Sequence, residues 1–323
     1  MVDGDASAIA RRGIPVGFSS IRVGNSTFFR AVIWKKVRGE WEAVELEPPP
    51  GYTEAIAADV NSRGQAVGWA FNPGEIVNGD VVRSAVVWQP VRGQAHTVVV
   101  LETPEGFQST ATGINELGDV VGRANRTEVN DTGTGTFELS DIVVWRRVPR
   151  HHGLHHRRHP GSIRTPVVLP STPGLPRNTV GAINLFGHVV ATAAGLVNGT
   201  QTTRPVFWKR RLWKRGGPTY ENPVVLPVPE GFSDASVTDI NLFGKVVGSA
   251  FAREGGALRS ASAVLWARRR SGWTDEVLDS PEGATFVFGT RLNDFRSVVG
   301  NNLSPAAGSS GALFLKRRCK WHK

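Results

Sequence analysis

The chain has 323 residues, 40% of them hydrophobic, with 37 Gly, 20 Pro and a formal net charge of +10. Its one cysteine, Cys319, excludes an intrachain disulfide, and no apolar run approaches the roughly 18 residues of a membrane-spanning helix. The glycine and proline content suits short strands joined by turns, and the basic balance predicts an anionic partner or surface.

The opening residues, MVDGDASAIARRG, lack a charged-then-apolar leader. The expectation is a protein that stays inside or a chain whose leader is missing, so the compartment is open. A nine-residue segment then recurs: 9–17 (IARRGIPVG), 60–68 (VNSRGQAVG), 114–122 (INELGDVVG), 183–191 (INLFGHVVA), 240–248 (INLFGKVVG) and 292–300 (LNDFRSVVG). Its anchor falls at Ala10, Asn61, Asn115, Asn184, Asn241 and Asn293, in steps of 51, 54, 69, 57 and 52 residues. Self-similarity at that period marks an array of supersecondary units. Asn-x-x-Gly suits a type I turn, with Asn capping its start and Gly turning left-handed at the fourth position. A following glycine bulge makes this a tight link between antiparallel strands. A side chain in the left-handed region costs about 1–2 kcal/mol, so Arg296, standing for the glycine, predicts a strained or remodelled turn. A ring of ligand-binding amides is the competing reading of the asparagines.

Each repeat reads as four strands. Strand A is poor in bulk, and strand B is the Val-Val-Gly run. Strand C is an apolar run ending in Trp34, Trp88, Trp145, Trp208 or Trp266, with Leu315 in that place in the sixth copy. Strand D ends at Leu46, Leu101, Leu169, Leu226 or Leu278, and a glycine follows five residues later, predicting a fixed turn. Six such repeats, at about 8–52, 53–107, 108–175, 176–232, 233–284 and 285–315, predict an all-β fold. The expected architecture is one six-bladed β-propeller domain over 1–323, with a β-solenoid as the alternative. The last copy supplies strands A, B and C before a basic tail, 316–323, so the expectation is closure by a short outer strand, or a chain that is a fragment. The strand C tryptophans are expected to be buried between blades.

The alternating AxxINxxGxVVG and xAxxW segments resemble the HAF-type repeats of bacterial proteins, from residue 8 to about 315. Residues 30–32 (Arg-Ala-Val), 84–86 (Ser-Ala-Val) and 262–264 (Ser-Ala-Val) stand where that family often has His-Ala-Phe. The resemblance implies an extracellular or cell-surface β-repeat protein and carries no catalytic residues to transfer.

In a four-stranded meander the A–B and C–D links emerge at one end. The C–D links concentrate positive charge: Lys35, Lys36 and Arg38, then Arg146, Arg147, Arg157 and Arg158, then Lys209, Arg210, Arg211, Lys214 and Arg215. Arg268, Arg269 and Arg270 follow, and finally Arg317 and Arg318. The D–A links carry acids, Glu54 and Asp234 among them, so a basic and an acidic face are expected. Solubilising hairpin tips are the competing reading. Trp41, Trp213 and Trp273 interleave with the basic residues, for stacking on a ligand or for cation–π pairing within a hairpin.

An insertion at 146–165 holds His151, His152, His155, His156 and His159, candidates for a Zn²⁺ or Ni²⁺ site, or for a basic loop that gains charge below about pH 6.5. No nucleophile elbow, phosphate loop, HExxH or paired-cysteine motif occurs. Asp59 and Asp239, each two residues before an anchor Asn, are the candidates for an axial site, or else support their turns. The expected function is a non-catalytic binding scaffold whose basic face engages a polyanion: an acidic glycan, nucleic acid or an acidic protein assembly. The alternative is a secreted hydrolase or lyase acting at the axial channel. No cofactor and no transmembrane segment are expected.

Overall fold

Short β-rich segments separated by glycine turns fold as antiparallel meanders. The computed structural model describes residues 2–77, 79–104, 108–129, 136–146, 166–211, 219–280, 282–295, 297–304 and 309–316. No helix occurs among the described residues, so the class is all-β. Contacts divide the chain into two compact units, Met1–Leu169 and Pro170–Lys323.

The first unit holds three four-stranded sheets, each in sequence order. They are β1 (Val2–Ile9) to β4 (Glu40–Leu46) through β2 (Pro15–Val23) and β3 (Ser26–Val37), then β5 (Glu54–Val60), β6 (Ala66–Val77), β7 (Asp80–Gln89) and β8 (Thr97–Val100). The third comprises β9 (Gln108–Ile114), β10 (Val120–Val129), β11 (Thr136–Trp145) and β12 (Pro166–Val168).

The second unit repeats the plan with β13 (Arg177–Ile183), β14 (Val189–Val197), β15 (Thr200–Trp208) and β16 (Val224–Val225). Its next meander is β17 (Asp234–Ile240), β18 (Val246–Glu254), β19 (Ala257–Arg269) and β20 (Gly272–Val277). A three-stranded meander, β21 (Phe286–Leu292), β22 (Ser297–Ser304) and β23 (Ser309–Lys316), joins it through one parallel bridge from Ala261 to Phe286. Leu315 pairs with Val298 as Trp266 pairs with Val246, which places it in the tryptophan register.

The Asn-x-x-Gly turns form as the sequence predicts. The Gly64, Gly118, Gly187 and Gly244 N–H groups donate to the carbonyls of Asn61, Asn115, Asn184 and Asn241 at 2.9–3.0 Å. Those glycines lie at φ between 71° and 85°, and each asparagine Oδ1 accepts the amide four residues on. The side chain also does something the sequence does not announce. Asn61 Nδ2 donates to the Asn115 carbonyl (3.1 Å), Asn184 to Asn241 (3.1 Å) and Asn241 to Asn293 (3.2 Å). Within each unit, the turn of one sheet is strapped to the turn of the next.

The glycine of Val-Val-Gly has a packing cause. Strand A bulges three residues before the anchor, with register shifts between Ala57 and Asp59 and between Val237 and Asp239. A Cβ on Gly68 or Gly248 would stand 1.9 Å from the carbonyl oxygen of Ile56 or Ser236. In the fourth repeat Ala191 occupies this position opposite Val180.

Neighbouring sheets are also joined through strand C. Trp88, Trp145, Trp208 and Trp266 are buried. The indole N–H groups of Trp88, Trp145 and Trp266 donate to the carbonyl that follows strand D of the preceding sheet in the same unit, and that of Trp208 to a carbonyl within the second unit. The acceptors are Glu47 (2.8 Å), Glu102 (2.5 Å), Pro170 (2.9 Å) and Pro227 (2.7 Å). Strand D is short, three residues in β12 and two in β16, so part of strand C lacks an outer partner. Buried Glu54 and Asp234 supply acceptors there, to the amides of Phe29 (2.7 Å) and Thr203 (2.9 Å). These two carboxylates turn inward to finish the backbone ladder instead of standing on the expected acidic face, while Glu47, Glu102, Glu230, Asp279 and Glu282 of the same links are exposed.

Candidate functional site

In the first unit, the A–B turns and C–D links of the first two sheets enclose a cleft of about 580 Å³. The β1–β2 turn contributes Arg12, Gly13 and Ile14; the β5–β6 turn contributes Arg63 and Gly64. Strand β3 contributes Ile33, Trp34, Lys35 and Lys36, and β4 contributes Trp41. The link from β7 to β8 closes the remaining side with Pro90, Val91, Gln94 and His96. Arg38 and Gly39, both at positive φ, close the β3–β4 hairpin as a two-residue turn. That hairpin sets Lys36 opposite Trp41 and Lys35 opposite Glu42.

The lining is cationic and aromatic. Arg12, Lys35, Lys36 and Arg63 are exposed, Trp34 is half-buried and Trp41 is 54% exposed. Among the described residues the lining includes no carboxylate, hydroxyl or thiol. His96 Nε2 is buried without a hydrogen-bond partner among the described residues. Burial, and then the Lys35 ammonium, hold the His96 pKa below the ordinary histidine value. Such a lining attracts an anion and sets two indoles beside it, and holds no carboxylate pair among the described residues.

Lys35 and Lys36 both line the cleft. Trp34 departs from its four counterparts, facing this space instead of being sealed between sheets. Arg12 and Arg63 were missed because the A–B segment reads as turn chemistry alone; the signal is the residue before the turn glycine, a long cation in both.

In the second unit, Lys209 and Arg211 share Glu221, at 3.1 and 3.3 Å. The Lys209 hydrogen bond, chief among several contacts, lowers the Glu221 pKa. Arg210 lies over Gly187, and its backbone N–H donates to His188 Nδ1 at 3.1 Å. Burial, then Lys209 and Arg210, lower the His188 pKa. Arg268 pairs across the β19–β20 hairpin with Trp273, and Arg269 with Gly272, while Arg270 follows exposed at its tip. Arg146, in the first unit, lies 3.8 Å from buried Asp119. Arg147, Arg157, Arg158, Lys214, Arg215, Arg317, Arg318, Trp213 and Arg296 lie outside the described residues, as do His151, His152, His155, His156 and His159. Among the described residues no cluster of three His, Cys, Asp or Glu is placed to hold a metal ion.

Asp59 and Asp239 serve the backbone. Asp59 accepts the amides of Val60 and Ile114, both at 2.8 Å. Asp239 accepts those of Ile240 and Leu292, also at 2.8 Å. Each carboxylate therefore ties its own bulged strand to strand A of the next meander. Burial raises the Asp239 pKa.

No protein-family model matches this chain, and no curated protein matches it. The chain is similar to a solved structure of a triple arginine-to-alanine mutant of AofleA from Arthrobotrys oligospora, at 10% identity and a TM-score of 0.39. The alignment covers 98% of this chain and 91% of that one. At that score the likeness carries no argument about architecture or ligand. No helix among the described residues is long and apolar enough to cross a membrane.

Proposed function

We propose that the chain is a HAF-type, six-bladed β-propeller that acts as a non-catalytic binding scaffold, with the basic cleft of the first unit as its polyanion site. The observation that carries the binding reading is the lining: four cations and two indoles with no carboxylate among the described residues. The propeller reading is supported by repeated four-stranded meanders whose strand A turns and strand C indoles link each sheet to the next within both units. The ligand is an acidic glycan. A cleft of this size takes one or two rings, indole faces suit a sugar ring, and exposed Arg and Lys suit its carboxylate or sulfate. A nucleic acid needs a longer basic track, and Lys209 and Arg211 are partly neutralised by Glu221.

The reading of Asp59 and Asp239 as axial catalysts is set aside because their carboxylates accept backbone amides. The test is a calorimetric titration of the full chain with heparin oligosaccharides, neutral dextran and single-stranded DNA at several salt concentrations. Salt-sensitive heparin binding that Arg63→Glu and Lys35→Glu each weaken is the expected result. Preference for DNA would reassign the ligand, and affinity indifferent to salt and to both reversals would overturn the cleft as the site.

A further inference from the structure

The residue before the turn glycine changes character between the units. In the first it is Arg12, Arg63 and Leu117; in the second Phe186 and Phe243 precede the glycine, and Phe295 holds the matching position. Those three rings are 49%, 72% and 89% exposed. The turns that carry them are not independent loops. Asn184 is strapped to Asn241 and Asn241 to Asn293, and the Leu242 amide donates to Asp294 Oδ1 at 2.9 Å. The Phe243 amide is itself held by Asn241 Oδ1 at 3.0 Å. Three phenylalanines are thus presented in a row, on rigid hairpin tips, at one end of the second unit's sheets.

Cations share that end. The C–D links emerge beside the A–B turns, bringing exposed Arg268 and Arg269 and half-buried Arg210, with half-buried Lys245 in the β17–β18 turn itself, while Lys209 is held by Glu221. We infer that this row is a docking surface for an anionic lipid bilayer, with the phenylalanines entering the interface and the basic side chains meeting the headgroups. Shape favours a bilayer over a folded protein. Rings standing on separate convex turns need pockets in a protein partner, whereas a lipid interface yields to each of them. Aromatic tips beside Lys and Arg match both the apolar and the charged parts of such a surface.

The inference goes beyond the glycan-binding proposal and uses residues of the other unit, so each can fail alone. The full chain is sedimented with sucrose-loaded phosphatidylcholine vesicles, with and without phosphatidylserine. Expected is partition onto the phosphatidylserine vesicles that weakens with salt and falls about tenfold for each of Phe243→Ser and Phe295→Ser, while heparin binding is unchanged. Should a serine variant unfold, Phe295→Trp carries the test: brominated lipid is expected to quench its added emission, and no quenching overturns the inference. It is also overturned by failure to bind the anionic vesicles, by serine variants that bind like the parent, or by serine substitutions that only dissolve a dimer seen in light scattering. That last outcome would assign the row to a second copy of this chain.

Discussion

The space between the first two sheets of the first unit and the corresponding space in the second unit use the same backbone to opposite ends. His96 stands five residues before Leu101, and Trp273 stands five before Leu278. Ile33 precedes Trp34 as Phe207 precedes Trp208, and Ile14 follows its turn glycine as His188 does. In the second unit, large rings fill the place: His188 packs edge-on to Phe207 at 5.5 Å between centroids, and Phe207 meets Trp273 at 5.0 Å. In the first, isoleucines and a histidine leave a cleft, and Arg12 and Arg63 stand at its mouth where phenylalanines stand in the other unit. A repeat protein can therefore open one site and seal another by side-chain volume alone, with every strand kept.

The largest expected effect breaks the scaffold that both spaces share. Trp208→Ala removes a buried indole and its hydrogen bond to Pro170 and should cost about 3–5 kcal/mol in urea unfolding. Trp34→Ala, facing the cleft, should cost only about 1 kcal/mol and should instead weaken heparin binding. Next is the plug. Trp273→Ala should cost about 2–3 kcal/mol by leaving Phe207 without its partner, whereas His96→Trp should close the first unit's cleft and lower heparin affinity about tenfold with little change in unfolding midpoint. Smaller still is the charge contrast. Arg63→Glu should weaken binding by about 1–2 kcal/mol, while Arg211→Glu, in the unit where Glu221 already balances charge, should change it by less than about 0.5 kcal/mol.

The smallest effect is on pH dependence. Both His96 and His188 have folded pKa values below the ordinary value of about 6.5. Unfolded chains therefore bind the extra proton first. Stability is full above about pH 6.5 and declines as pH falls through the depressed folded values. His96→Gln and His188→Gln should each flatten that decline, by under about 1 kcal/mol between pH 7 and pH 5 in thermal melts. Saturating heparin should protect the parent from the His96 share alone, because an anion in the cleft favours the imidazolium.

The repeat period and the turn were legible because both are local: Asn and Gly three residues apart make a turn whatever lies around them. The all-β class followed from the same spacing. The straps were not legible, since an asparagine Nδ2 that reaches the carbonyl of an asparagine 54 residues away depends on how sheets abut. The same limit hid the balance of charge. Lys209 and Arg211 read as free basic residues until the chain folds Glu221, twelve and ten residues on, against them. Trp34 looked equivalent to Trp208 by motif, and only its neighbours, Ile33 with Ile14 and His96, distinguish the two.

Asn61, Asn184 and Asn241 each also keep two clocks. Their Oδ1 bonds lie within five residues of chain and form on the timescale of a hairpin, about 1–10 μs. Their Nδ2 bonds span 52 to 57 residues and must wait for the neighbouring meander, a non-local closure of the kind that slows β proteins. In a refolding experiment the amides of Gln65, His188 and Lys245 would gain protection before the tryptophans are buried, while slow exchange of the Asn184 and Asn241 side-chain amides would mark the moment when separate sheets become one assembly.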